Sequence, residues 1–178
     1  MKKSIFTIST FLFALMSFAQ SEKGKSFQKG VGVANLGVGI GNFYWGSGTT
    51  NTLGVNPTIS YEKAVSDKFS VGGNISFSGA SFSSGGYKIK YTGILVGPRS
   101  SFHFATSDKF DPYVGATLGY VIVNVSDNSG YLGSVKGSGV GLGFYLGGRY
   151  FASSSFGFHA ELGYSSFSFL TGGISFKL

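Results

Sequence analysis

The sequence predicts an all-β protein: eight antiparallel, up-and-down strands closed into a transmembrane β-barrel behind a cleaved signal peptide. Three observations carry this expectation. Large apolar residues alternate with glycine and small polar residues in eight successive stretches, and a period of two is the period of a strand. Charged residues are 12% of the chain, about half the ~25% of an ordinary soluble domain, so much of the surface needs no water. The connections alternate between short polar turns and longer, more variable loops, and an even strand number returns both termini to the short-turn side.

The amino terminus is a separate unit. Lys2 and Lys3 precede an apolar run from Ile5 to Phe18, and Ser17-Phe18-Ala19 is a small-x-small site with cleavage expected before Gln20. Residues 1–19 are therefore expected to be a signal peptide, residues 20–30 a short flexible periplasmic leader, and residues 31–178 the barrel. No cysteine occurs, so the exported protein has no disulfide and depends on hydrogen bonding and packing. The formal net charge is +7. An exported chain whose lysines form no arm or helix stripe is not a nucleic-acid binder, and anionic lipid head groups are the expected counter-charge.

The first strand is expected over Val31–Phe43, with Ala34, Leu36, Val38 and Ile40 on its apolar face. Tyr44 and Trp45 follow where the chain leaves the apolar zone, as interfacial aromatics do. The second, Leu53–Val65, contains Pro57, which predicts a bulge or a lost ladder bond. The third runs over Phe69–Ala80, and Ser81–Gly86 reads as a loop. In the fourth, Tyr87–Phe104, the large residues change phase: Tyr87, Ile89 and Tyr91, then Ile94, Val96, Phe102 and Phe104. A β-bulge near Thr92 or Gly93 would cause this; inward-pointing tyrosines are the alternative.

Ser107-Asp108-Lys109-Phe110 repeats Ser66-Asp67-Lys68-Phe69, and Ala152-Ser153-Ser154-Ser155 comes after a similar interval, as in an array of hairpins. The fifth strand is expected over Pro112–Asn124 and the sixth over Gly139–Phe151, where Val140, Leu142, Phe144 and Leu146 oppose a face of glycines, Tyr145 and Arg149. The seventh covers Phe156–Tyr164 and the eighth Phe169–Leu178. Tyr61, Tyr120, Tyr150 and Tyr164 join Tyr44 and Trp45 as interfacial candidates.

If the apolar face is outward, Glu62, Arg99, His103, Arg149, His159, Glu161 and Lys177 all turn into the lumen. Eight strands leave an interior just wide enough for side chains to fill, so opposite charges there must pair. Arg149 with Glu161 is the expected pair, being on neighbouring strands near one turn; Glu62 with Arg99 or Lys177 is the weaker expectation. The set either plugs the lumen or lines a narrow water or ion path. No convergent nucleophile and base, nucleotide loop or metal-ligand spacing is found, so neither an enzyme nor a cofactor is expected. A soluble lipocalin-like barrel would need the large residues to point inward.

Pro57–Glu62 (PTISYE), Asp111–Tyr120 (DPYVGATLGY), Gly139–Tyr150 (GVGLGFYLGGRY) and the C-terminal GGISFKL resemble the porin-like outer-membrane β-barrel family, of the small OmpA/OmpX type. The resemblance spans essentially the whole mature chain and implies a monomeric barrel in the cell outer membrane with both termini periplasmic. It implies outer-membrane lipids, including anionic lipopolysaccharide, as surroundings and the barrel assembly machinery as the inserting partner. That machinery reads a terminal aromatic residue; here Leu178 is last and Phe176 stands two before it. No peptidoglycan-binding domain is expected after the barrel, and a passive porin for small solutes is the competing role. Alkaline carbonate is expected to leave the mature chain in the membrane fraction; release into the supernatant would favour the lipocalin-like alternative.

Overall fold

The computed structural model describes residues 25–41, 50–51, 54–104, 106–127 and 134–178; the expected signal peptide, Tyr44 and Trp45 lie outside them. Eight long strands follow in chain order: β1 (Gly32–Ile40), β2 (Asn56–Ala64), β3 (Phe69–Ser84), β4 (Tyr87–His103), β5 (Phe110–Asp127), β6 (Ser134–Phe151), β7 (Phe156–Ser166) and β8 (Ser168–Lys177). Each pairs antiparallel with the next, and β8 closes on β1 with Leu36 opposite Ile174. A two-residue strand, Thr50–Asn51, adds to β3 opposite Ser81 and Ala80.

The alternation settles which face is out. On β6, Val140 is 75% exposed and Leu142 60%, whereas Tyr145 and Arg149 are buried. Ile59, Val71, Leu118, Leu146 and Leu162 are exposed in the same way. A soluble lipocalin-like barrel is thereby excluded, because its apolar side chains would fill the inside. Phe110 and Tyr120 both face outward on β5; ten residues along a strand tilted by ~40° rise by ~25 Å, the height of a membrane barrel's apolar band. Tyr61 and Tyr150 lie at the lower margin with Phe69, Phe110 and Phe158, while Tyr120 and Tyr164 lie at the upper.

The three lower turns share one device. Ser66, Ser107 and Ser153 each accept at Oγ the backbone N–H of the phenylalanine three residues on, at 3.1 Å. The same serines donate their own N–H to that phenylalanine's carbonyl. Ser-x-x-Phe thus closes each hairpin by a local side-chain turn and turns Phe69 and Phe110 outward into the lower aromatic ring.

The loop end departs from the sequence reading. Strands β3 and β4 continue to Ser84 and Tyr87, joined by the two-residue turn Gly85–Gly86 with both φ positive, so the expected Ser81–Gly86 loop is strand and hairpin turn. Likewise β5 reaches Asp127 and β6 starts at Ser134, beyond the expected ends. The β1–β2 ladder stops at Gly39–Asn56 and the β6–β7 ladder at Tyr145–Gly163, whereas β4–β5 and β5–β6 reach Ile89–Asp127 and Ser126–Ser134. One half of the barrel, β3 to β6, therefore rises well above the other.

No bulge interrupts β4. Its register with β3 is unbroken from Tyr87 to Phe102, and its pairing with β5 keeps one register throughout. The large residues change phase because the surroundings invert. Within the apolar belt Ile94 and Val96 point out and Arg99, Ser101 and His103 point in; above it Ile89 and Tyr91 continue the inward face while Lys88 and Lys90 take the outward one. The same inversion occurs on β5, from Tyr120 outward to Val121 and Val123 inward. Pro57 also causes no bulge: it sits opposite Val38 in a continuous ladder, and the β2–β3 pairing begins only at Thr58. The irregularity that does occur lies between Leu162 and Ser166, at Gly163 with φ +149°.

The chain has no cysteine, so single thiols can be placed without background. In lipid vesicles, L142C is expected to resist a charged maleimide and K136C to react; equal reactivity would contradict the belt.

Candidate functional site: the lumen charge network

Once the outer face is committed to apolar residues, every charge within the belt must turn inward, and the ladder fixes which ones meet. Arg149 is fully buried and stands directly opposite Asp111 on β5. Its guanidinium crosses the lumen: Nη2 donates to Glu62 Oε2 of β2 at 2.7 Å, Nη1 to Asp111 Oδ2 at 3.1 Å and Nε to Asn35 Oδ1 of β1 at 3.3 Å. Arg99 of β4 donates to Glu161 Oε1 of β7 at 2.8 Å and lies 3.2 Å from Glu62 Oε2. Glu62 is thus the hub between the two arginines, and it also accepts O–H groups from Ser70 and Ser101 at its other oxygen.

Two inward tyrosines complete the arginine sites. Tyr113 donates to Glu161 Oε1 at 2.8 Å and lies beneath the Arg149 guanidinium, 4.3 Å from ring centroid to Cζ. Tyr145 lies under Arg99 in the same way, at 4.2 Å. The planar cation gains a π face as well as carboxylate oxygens. The inward glycines give these rings room: a Cβ at Gly147 would come 2.7 Å from the Tyr113 ring, and one at Gly115 would strike Tyr145.

His103 Nδ1 lies 2.6 Å from Asp111 Oδ1, and its Nε2 lies 2.9 Å from Ser70 Oγ. The arrangement has the connectivity of a serine–histidine–aspartate triad, but Ser70 gives its O–H to Glu62. Three carboxylates (Glu62, Asp111, Glu161) surround the two arginines, and His103 lies between Asp111 and Ser70.

The lumen is filled above and below this layer. Phe27 is buried and stacks on His103, with centroids 3.5 Å apart and planes 10° from parallel. Its segment is bonded to the turns: Ser26 N–H to Ser107 O, Ser26 Oγ to Phe110 O, and Lys29 N–H to Asp67 Oδ1. Residues 25–30 are therefore not the flexible leader expected from composition; they strap the short-turn mouth. Above the charges, Phe167 of the β7–β8 turn packs inward on Leu95 and Val121.

The sequence-predicted residues fall as follows. Glu62, Arg99, His103, Arg149 and Glu161 meet in one network. Arg149 does not pair with Glu161 as expected; it reaches across to Glu62 and Asp111, because a long side chain in so narrow a lumen meets the opposite wall as readily as its neighbour. Glu62 and Arg99 do pair. His159 stands aside, its Nδ1 3.2 Å from Ser175 Oγ. Lys177 sits over the Phe151 ring at 4.4 Å, with Nζ 3.4 Å from Lys25 O, and does not bridge to Glu62. Phe176 is 3% exposed and packs on Phe156. Sequence reasoning missed Asp111, which fell just before the expected start of the fifth strand although it shares the phase of Tyr113, and it missed Phe27 and Phe167, whose apolar character carried no sign of direction.

Removing one member of a buried ionic set strands its partners, at about 3–5 kcal/mol. Arg149→Met is therefore expected to lower stability by about 3–5 kcal/mol in urea unfolding from lipid vesicles, and Lys177→Met, which loses a ring contact and one long hydrogen bond to Lys25 O, by no more than about 1 kcal/mol. Equal effects would contradict the central place of Arg149.

The fold is shared with solved barrels at low identity. The N-terminal β-barrel domain of Pseudomonas aeruginosa OprF superposes with a TM-score of 0.57 at 14% identity, covering 85% of this chain and 99% of that one. The outer membrane protein OprG of Pseudomonas aeruginosa gives 0.54 at 13%, covering 85% and 97%. Ail, the attachment invasion locus protein of Yersinia pestis, in complex with the heparin analogue sucrose octasulfate, gives 0.51 at 14%, covering 84% and 95%. No curated protein matches the sequence. The model of the outer membrane protein β-barrel domain matches residues 10–177, nearly the whole chain, and with a closed ring of eight strands, apolar outside and charged within, the chain belongs to that family.

Proposed function

We propose that this chain is a closed, structural barrel of the outer membrane that carries its tall hairpins at the cell surface and does not conduct. An integral outer-membrane barrel of this family serves a structural, surface-interaction or pore role. The observation that carries the choice among them is the stacked filling of the lumen: Phe27 at one mouth, the Glu62–Arg99–Arg149–Glu161–Asp111 set in the middle, and Phe167 with Leu95 and Val121 above. An ion would have to displace an ion-paired, hydrogen-bonded set and two aromatic side chains, which is costly in so narrow a space.

Other assignments follow from this reading. Residues 1–19 are the export signal, cleaved before Gln20, residues 20–30 are a short periplasmic leader, and its residues 25–30 belong with the barrel they strap. The short-turn side, with both termini, is periplasmic. The barrel is a monomer, inserted by the barrel assembly machinery, for which Phe176 and Leu178 form the terminal signal. Tyr61 and Tyr150 serve the inner interface and Tyr44, Trp45, Tyr120 and Tyr164 the outer. Anionic lipopolysaccharide is the principal lipid partner, and nucleic acid is not a partner.

The protein is not an enzyme in this reading. Ser70 is fully buried and its O–H is held by Glu62, so its proton is not presented to His103 and its oxygen is not open to a substrate. In planar bilayers the purified barrel is expected to give no discrete conductance steps; regular single-channel steps would contradict the closed lumen and favour the porin reading.

A further inference from the structure

One part of the lower closure is not carried by the ladder. Val33 belongs to β1 with Val31 just before it, Phe151 ends β6 and Lys177 ends β8, so strand pairing sets their places. Phe27 comes from residues 25–30, which belong to no strand. Gln28–Val31 is a turn, with Val31 N–H on Gln28 O at 3.2 Å and Gly30 at φ +91°. A positive φ at the third position of such a turn suits glycine. The turn folds the chain back from β1 beneath the lumen, and the strap then crosses to the start of β5, the strand opposite β1 in a ring of eight.

The anchors of the strap are spread around the ring. Gly30 N–H reaches Ala64 O at the end of β2, and Lys29 N–H reaches Asp67 in the β2–β3 turn. Ser26, fully buried, reaches Ser107 O and Phe110 O beside β5, and Lys177 of β8 donates to Lys25 O. Contacts on both sides of β1 and across the lumen exist together only when β8 has closed on β1. The strap is held lightly compared with any strand. A few hydrogen bonds and one buried ring oppose the ordering of six residues, and such gains and costs are of the same order. What it covers is the lower end of the charge set: Phe27 stacks on His103, behind which stand Asp111, Ser70 and Tyr113.

We propose that residues 25–30 are a closure lock. They fasten only on the completed ring, and their release admits periplasmic water as far as His103 while the eight strands stay paired. The lock rests on the closed-lumen reading above and adds that the lower seal opens on its own. A segment held by few contacts opens at a free energy well below that of global unfolding.

The chain has two histidines, and the second is an internal reference. His159 reaches Gly37, the sixth residue of β1, whereas the strap leaves β1 at its first. The full mature chain in lipid nanodiscs is treated with diethyl pyrocarbonate, and carbethoxylation of each histidine is followed by mass spectrometry. Phe27→Gly is expected to speed the reaction of His103 by about tenfold or more. Ser26→Cys with Ser107→Cys joins residues already bonded backbone to backbone; His103 in this variant is expected to react about tenfold more slowly when the pair is oxidised than when it is reduced. His159 is expected to keep one rate throughout. One His103 rate in wild type, in Phe27→Gly and in both redox states of the cysteine pair would overturn the lock and leave the closed lumen standing. A parallel rise at His159 would also overturn it, because the ring itself would have loosened. Regular conductance steps from wild type in planar bilayers would overturn the closed lumen and the lock together.

Discussion

The structure depends on the pairing of charge inside a narrow lumen. An apolar belt on the outside of a barrel leaves its ionisable residues one direction to point, and eight strands leave them little room. Arg149 is the clearest consequence. It is wholly buried, yet three of its nitrogens find oxygen on β1, β2 and β5, and its plane rests on Tyr113. Arg99 ties β2, β4 and β7 in the same manner. The ladder holds neighbouring strands; these two side chains hold strands that are not neighbours. On the closed-lumen reading proposed above, a plug of this kind sets the cross-section of the ring as well as closing it.

Much of this was legible in the sequence, for a physical reason. A period of two copied over eight strands is a redundant signal, and it separates the inward set Glu62, Arg99, His103, Arg149, His159, Glu161 and Lys177 from the outward one without any knowledge of register. Pairing within the set was not legible. Partners across the lumen depend on barrel closure and side-chain reach, so Arg149 found Glu62 and Asp111 rather than Glu161. Phe27 was hidden too, because a polar, glycine-bearing leader reads as a linker until the turns that bind it are in view.

On the fourth strand the expected bulge is not there, and the alternative cause, a tyrosine turned inward, holds at Tyr91. Large residues do change phase near Thr92 and Gly93, but the backbone does not. A strand passing from lipid to water keeps its two faces and exchanges what each must be: Ile94 and Val96 outward in the belt, Ile89 and Tyr91 inward above it. The phase change marks a membrane boundary, and the same inversion makes the outward face above it free to be basic. The tall β3–β6 half and its cationic rim are thus parts of one transition.

The central claim is that the lumen charges act as one coupled set. A double-mutant cycle with Arg149→Met, Glu62→Gln and the double variant, read by urea unfolding in lipid vesicles, tests it most directly. A coupling of about 1.5 kcal/mol or more, with the double variant less damaged than the sum of the singles, is the result the account predicts. Additivity within about 0.5 kcal/mol would contradict it, because two independent residues cannot be the hub and the crossing strut of one plug.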